Sequence, residues 1–130
     1  MSFLFDNNLA PAIPQALRIF GRRTLHVQEV SELGGAAPDE LILQHAGDWD
    51  HYLVTRDRAL TKTPQYKALI GSRRIGVILV RTGSARSLDA WGIAKLMVKA
   101  WDDIEAFADG RQRPFMCLVQ ANGRVGPYKT

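Results

Sequence analysis

The sequence predicts an α/β domain of three layers, α/β/α, with a mostly parallel sheet and a C-terminal β-hairpin. Three observations carry that prediction. Short apolar runs bounded by turn-formers alternate with stretches of helical periodicity along nearly the whole chain. One of these runs, Ile75-Gly76-Val77-Ile78-Leu79-Val80, is almost wholly apolar, as expected of a strand covered on both faces in a parallel sheet. Asn122-Gly123 near the end is the strongest short hairpin signal, of type I′, and sends Arg124-Val125-Gly126 back as an antiparallel edge.

The elements follow in order. Phe3-Leu4-Phe5 is a buried strand that stops on Asp6, Asn7 and Asn8. Pro11 and Pro14 suit the first turn of a helix, where an N–H is not needed; Ile13, Leu17 and Phe20 form its apolar stripe, and Gly21 ends it. Thr24 to Val27 reads as a second strand and Glu29 to Ala37 as a loop. Pro38-Asp39-Glu40 opens a helix that runs to Gly47, with both acids facing the positive end of the helix dipole. Tyr52-Leu53-Val54-Thr55 is the third strand, and Thr63-Pro64 caps a short helix to Gly71. After the Ile75–Val80 strand and a basic loop from Arg81 to Arg86, Ser87 caps the longest helix, which ends at Gly110. Ile93, Met97, Ala100, Ile104 and Phe107 form its main stripe; Trp91, Ala94, Val98 and Trp101 widen it, so core packing or a homodimer contact through helix 87–109 both suit it. Phe115 to Val119 is the last apolar strand. Short right-handed crossovers place the first strand centrally, with the second and third on either side.

At 130 residues and 46% hydrophobic content the chain is expected to be one domain, 1–130, with a full core. No apolar run approaches the ~18 residues that span a membrane. The N-terminus shows no signal-peptide pattern, and the single Cys117 falls in an apolar run; both suit a reduced, cytoplasmic setting and an inert core thiol. The net charge of +4 is unevenly spread. Residues 1–65 hold six Lys/Arg and eight Asp/Glu, whereas residues 66–130 hold eleven and five. From Arg56 to Arg86 eight basic residues face one acid, Asp57, a composition that favours a polyanion such as nucleic acid or simply a solvated surface.

The strands ending at Asp6 and Asp57 are neighbours at the point where strand order reverses, which is where α/β sheets bind ligands. Asp39, or Glu40 beside it, opens a helix at the same edge. Three carboxylates converging without matched cations repel one another; an oxygen-only set of this kind suits Mg²⁺ or Mn²⁺ rather than Zn²⁺. Together with the basic segment, this points to metal-dependent phosphodiester hydrolysis. Each acid also has an ordinary structural role available: Asp6 as a turn-former, Asp39 and Glu40 as helix-opening residues, Asp57 as a partner of Arg56 or Arg58. A receiver-type phosphorylation switch fits less well, because Arg81 stands where such a site would carry a lysine. The histidines lack metal-ligand spacing, and the glycines match neither a P-loop nor a dinucleotide fingerprint.

Phe3-Leu4-Phe5-Asp6-Asn7-Asn8-Leu9, then Pro38-Asp39-Glu40 leading to Ala46, then Leu53-Val54-Thr55-Arg56-Asp57-Arg58 resemble the PIN-domain superfamily, nearest to its VapC-toxin and Mut7-C branches. The resemblance covers about residues 2–80. It implies a PIN fold, a Mg²⁺- or Mn²⁺-dependent ribonuclease acting on single-stranded RNA, and the toxin half of a type II pair with a cognate antitoxin protein. By position it assigns catalysis and metal binding to Asp6, Asp39 and Asp57, with Glu40 and Asn7 as further candidate ligands. Thr55, Arg56, Arg58, Arg81 and Arg86 are then the expected substrate contacts. Asn7 stands where many relatives carry Glu, and Ala59 where many carry a further acid. The thinner acidic set implies one weakly held metal, or a domain that binds without cutting.

Overall fold

Alternation within the strands divides the core in two. In the computed structural model, which describes residues 1–34, 36–82 and 89–128, the first strand β1 (Phe3–Phe5) sends Phe3 and Phe5 to one side of the sheet and Leu4 to the other. The remaining elements are α1 (Ala12–Ile19), β2 (Thr24–His26), a 3₁₀ turn at Val27–Glu29, α2 (Asp39–Asp48), β3 (Tyr52–Thr55), α3 (Arg58–Lys62), α4 (Pro64–Ser72), β4 (Gly76–Arg81), α5 (Ala90–Asp109), β5 (Phe115–Gln120) and β6 (Val125–Pro127). The strand order is β2-β1-β3-β4-β5-β6, parallel throughout except for the β5–β6 pair. The first strand is therefore flanked by the second and third, as the crossover rule requires. This is the three-layer α/β/α fold with its C-terminal hairpin.

One core joins α1 and α5 to the sheet through Phe5, Val54, Ile78, Cys117, Met97 and Ile104; the opposite core joins α2, α3 and α4 through Leu4, Leu53, Val77, Ile42, Leu60 and Ile70. Each large side chain fully withdrawn from water in these layers contributes about 1.5–3 kcal/mol of transfer free energy.

Helix ends explain most of the boundaries. Gly21, at φ +86°, lets Arg22 N–H reach the Leu17 carbonyl (3.0 Å) and Gly21 N–H reach that of Arg18 (2.9 Å), a Schellman stop. The same six-residue closure ends α2, His51 to Ala46 (2.9 Å), and α4, Ile75 to Ile70 (3.0 Å), with Asp50 (φ 55°) and Arg74 (φ 53°) in the left-handed position.

Several details differ from the sequence reading. Phe20 lies past the last turn of α1 and is exposed, because the chain has already left the helical path that carried Ile13 and Leu17 inward. Pro38 caps α2 instead of occupying its first turn. The loop after Val27 begins with a 3₁₀ turn, in which the His26 ring accepts from Gln28 N–H and Glu29 accepts from His26 N–H. Ser87 and the loop residue Arg86 lie outside the described residues; α5 starts at Ala90, and Asp89 caps it by accepting from Gly92 N–H (2.8 Å). The hairpin is present, but its turn is not type I′, since only Gly123 has positive φ there. Gly123 N–H bonds to the Gln120 carbonyl and Gln120 N–H to that of Arg124, a three-residue connection with Gly in the left-handed position.

Candidate functional site

The β1–β3 register, Phe5 opposite Val54, brings the residues just past both strands to one edge. Asp6 N–H donates to the Val54 carbonyl (2.9 Å), and the Asp6–Leu9 turn that follows holds Asn7 and Asn8 there. Asp6 is only 4% exposed, and its carboxylate accepts from Asn7 N–H (2.7 Å) and from the Thr55 hydroxyl (2.9 Å). A buried carboxylate requires such donors.

Thr55, fully buried at the end of β3, is the centre of the edge. Its Oγ1 donates to Asp6 and accepts from Asn8 Nδ2 (3.2 Å) and Asp57 N–H (3.0 Å), which uses the donor and both lone pairs. The hydroxyl is committed to holding the edge together. Asn8 also accepts from Arg56 N–H (3.0 Å) and thereby ties the β1 turn to the β3 exit.

Asp57 caps α3, accepting from Ala59 N–H (2.9 Å). Asp39 comes from the first turn of α2. Its carboxyl is pushed above the ordinary value, first by burial and then by the negative charges of Asp6 and Asp57. Asp39 thus lies within the field of both Asp6 and Asp57. Among the described residues no hydrogen-bond donor or cation partners the Asp39 side chain.

Glu40 is exposed, and its carboxylate accepts from Gln65 on α4, which draws it toward that helix. Asn7 Oδ1 accepts from Gln28 Nε2 (3.3 Å). Arg56 donates from Nη2 to Thr82 Oγ1 (3.0 Å), holding a cation across the ends of β3 and β4; Thr82 went unnoticed in the sequence because no motif marks it. Arg58 and Arg81 are exposed, on α3 and at the end of β4, and Arg86 lies outside the described residues.

A family model described as a PIN like domain matches residues 1–82, well over half of the chain and the whole span from β1 through β4. The chain belongs to the PIN-like domain family. No curated protein and no solved structure matches it. PIN-like domains are commonly nucleases.

The donor chemistry of this PIN-like edge suits a hard cation: carboxylate and amide oxygens, with neither sulfur nor a free imidazole among them. His26, at the same edge, is fully buried and satisfied, its Nε2 bonded to the Leu9 carbonyl (2.7 Å) and its Nδ1 to Gln28 N–H (3.1 Å). Among the described residues no three His, Cys, Asp or Glu side chains are grouped closely enough to enclose a metal as they stand. A Mg²⁺ ion needs no such enclosure, because it keeps several waters and takes one or two carboxylates. Cys117 plays no part: burial pushes its thiol up to about 12, which leaves it protonated. No helix among the described residues is long and apolar enough to cross a membrane.

Proposed function

We propose that this PIN-like domain is a Mg²⁺- or Mn²⁺-dependent ribonuclease that hydrolyses phosphodiester bonds of single-stranded RNA. The observation that carries the reading is Asp39, a half-buried carboxyl without a donor among the described residues, raised by burial and by Asp6 and Asp57. Such a group is stabilised by a cation, and the acids beside it are the natural ligands. Asp6, Asp39 and Asp57 would hold the ion, which when bound supplies an acidified water and a counter-charge for the phosphate. The protein's own part is orientation. Thr55 and Asn7 N–H fix the Asp6 carboxylate, and Asn8 fixes the turn beside it. Arg56, held by Thr82, and the exposed Arg58 and Arg81 supply positive charge for the flanking phosphates.

The cleanest test is Asp57→Asn, because Asn caps a helix as well as Asp does and α3 is retained. Cleavage of a single-stranded RNA with Mn²⁺ is expected to fall on the order of 10²-fold or more, with the thermal melt unchanged. Wild-type protein inert toward single-stranded RNA with both metals would remove the proposal.

The resemblance to VapC toxins supports a further step: the chain is the toxin of a type II pair, held inactive by a cognate antitoxin protein. Growth arrest on expression, abolished by Asp57→Asn, is the expected outcome. A second reading is favoured by the open spacing of the acids, with Asn7 and Ala59 in place of further carboxylates. On it the domain binds RNA or protein without cutting. Calorimetric titration with Mn²⁺ separates the two: absent metal binding with RNA affinity retained selects the second.

A further inference from the structure

Two of the histidines, scattered in the sequence, are brought together by the turn that ends α2. On a continuous helix His45 and His51 would point about 120° apart. Instead Asp50 takes the left-handed conformation (φ 55°) and His51 N–H returns to the Ala46 carbonyl (2.9 Å), which folds the His51 ring back beside that of His45. The two ring centres are 5.7 Å apart, and Trp49 stacks on His45 at 5.8 Å. Both histidines are half-buried. Among the described residues no hydrogen bond uses a ring nitrogen of either, and His51 Nδ1 is buried without a partner. Burial first, then the charges of His45 and of the amino group at Met1, hold the His51 ring below its ordinary 6.5 against the pull of Asp50. The ring is therefore neutral at neutral pH and keeps a free lone pair.

We infer that His45 and His51 together hold a borderline divalent ion of the Zn²⁺ class, which bridges the end of α2 to the start of β3. Imidazole selects such ions over Mg²⁺ and Mn²⁺, which prefer oxygen. The spacing fits. Two imidazoles on one tetrahedral ion, each with a metal–nitrogen bond of about 2.0–2.1 Å, have ring centres about 5–5.5 Å apart. The orphaned nitrogen fits as well, since a buried polar atom without a partner calls for one. The carboxylates alongside are engaged, Asp48 by Arg73 (2.6 Å) and Asp50 by Arg113 (3.1 Å), so water completes the coordination. Two protein ligands fall short of an enclosing set, and the ion they hold is exchangeable. His51 precedes β3 and Asp57 follows it, so this pair lies at the opposite end of the strand from the acids. The two ends of β3 therefore suit ions of different chemistry.

This inference does not rest on the nuclease reading, and its test measures no cleavage. The untagged chain is titrated with Zn²⁺ in a calorimeter, in excess Mg²⁺, which competes for oxygen ligands and leaves imidazole free. A single equivalent of Zn²⁺ is expected to bind, and His45→Ala and His51→Gln are each expected to weaken it at least about tenfold, with unchanged circular dichroism. In the proton NMR spectrum of the wild type, the ring signals of His45 and His51 are expected to shift with Zn²⁺. Those of His26, buried and bonded at both nitrogens, should stay in place. The absence of saturable binding, binding indifferent to either substitution, or ring signals of His45 and His51 that do not move would each overturn the inference.

Discussion

Replacing Thr55 by Val tests whether the candidate site is built around one hydroxyl. Val keeps nearly the same shape in a fully buried position, so the change isolates the three hydrogen bonds of Oγ1. Asp6 suffers most, losing a charge-assisted bond at 4% exposure, a loss worth about 1.5–3 kcal/mol. Asn8 is exposed and Asp57 half-exposed, so water replaces much of what their donors lose, and the two together cost about 1 kcal/mol. The better strand propensity of Val offsets part of this, by a few tenths of a kcal/mol. The net expectation is a destabilisation of about 2–4 kcal/mol, read in urea unfolding as a midpoint lower by roughly 1–2 M at constant slope. Thr55→Ser keeps the hydroxyl and loses only a methyl group, so it should cost about 1 kcal/mol and leave Mn²⁺ affinity in place. A Thr55→Val protein within about 0.5 kcal/mol of wild type, or no worse than Thr55→Ser, would refute the argument that Thr55 organises this edge.

Three other predictions follow. Gly76→Ala would drive a Cβ into the Phe115 ring and to 2.8 Å from Tyr52 Cδ1, both side chains of the packed core, and should cost at least about 1–3 kcal/mol in the same assay. Arg74→Gly removes a side chain from the left-handed position that closes α4 (φ 53°) and should stabilise by about 1 kcal/mol, raising the melting temperature by roughly 3–5 °C. The Asp39 carboxyl is raised above its ordinary 3.8, so the fold favours its protonated form. The stability this contributes is fully present below pH 3.8 and is lost as pH rises through the raised folded value. In chelator, therefore, the wild-type melting temperature should fall relative to that of Asp39→Asn as pH climbs from 3.8 toward neutrality, and Mn²⁺ should close the gap. Parallel pH profiles with and without metal would contradict the electrostatic description of Asp39.

Much of this architecture was legible because it depends on local pattern. Period-two alternation, strand-ending acids and short crossovers give β2-β1-β3 directly, and with it one sheet edge shared by the residues that follow β1 and β3. What escaped depends on tertiary detail. Helix α3 spans only Arg58–Lys62, too short for periodicity to register, so the sequence offered Asp57 as a metal ligand or an ion-pair partner and gave no sign that it caps a helix. The 3₁₀ turn after β2 is capped by a histidine ring, outside the residue types that usually announce a helix start. Thr55 could be suspected of orienting a carboxylate, but the exhaustion of its hydrogen-bonding capacity follows from Asn8 and Asp57 converging on it from two loops. Trp91 and Val98 look like core residues by composition, and only the position of α1 reveals that nothing described covers them.

Asp6 is the most conspicuous acid in the sequence, yet Asp39 carries the chemical argument. Asp6 is buried, but two donors satisfy its carboxylate, so its presence is consistent with a purely structural edge. Asp57 likewise has a structural occupation at the start of α3. Neither role explains why a third carboxyl should sit at the opening of α2, within the field of both. The dipole of α2 offsets some of the repulsion, by about 0.3–1 kcal/mol, but burial and two like charges still leave Asp39 raised. A fold selected for stability alone would place an amide or hydroxyl there, since either caps a helix without the penalty. On the proposed function, that charge is what a cation-binding edge would require.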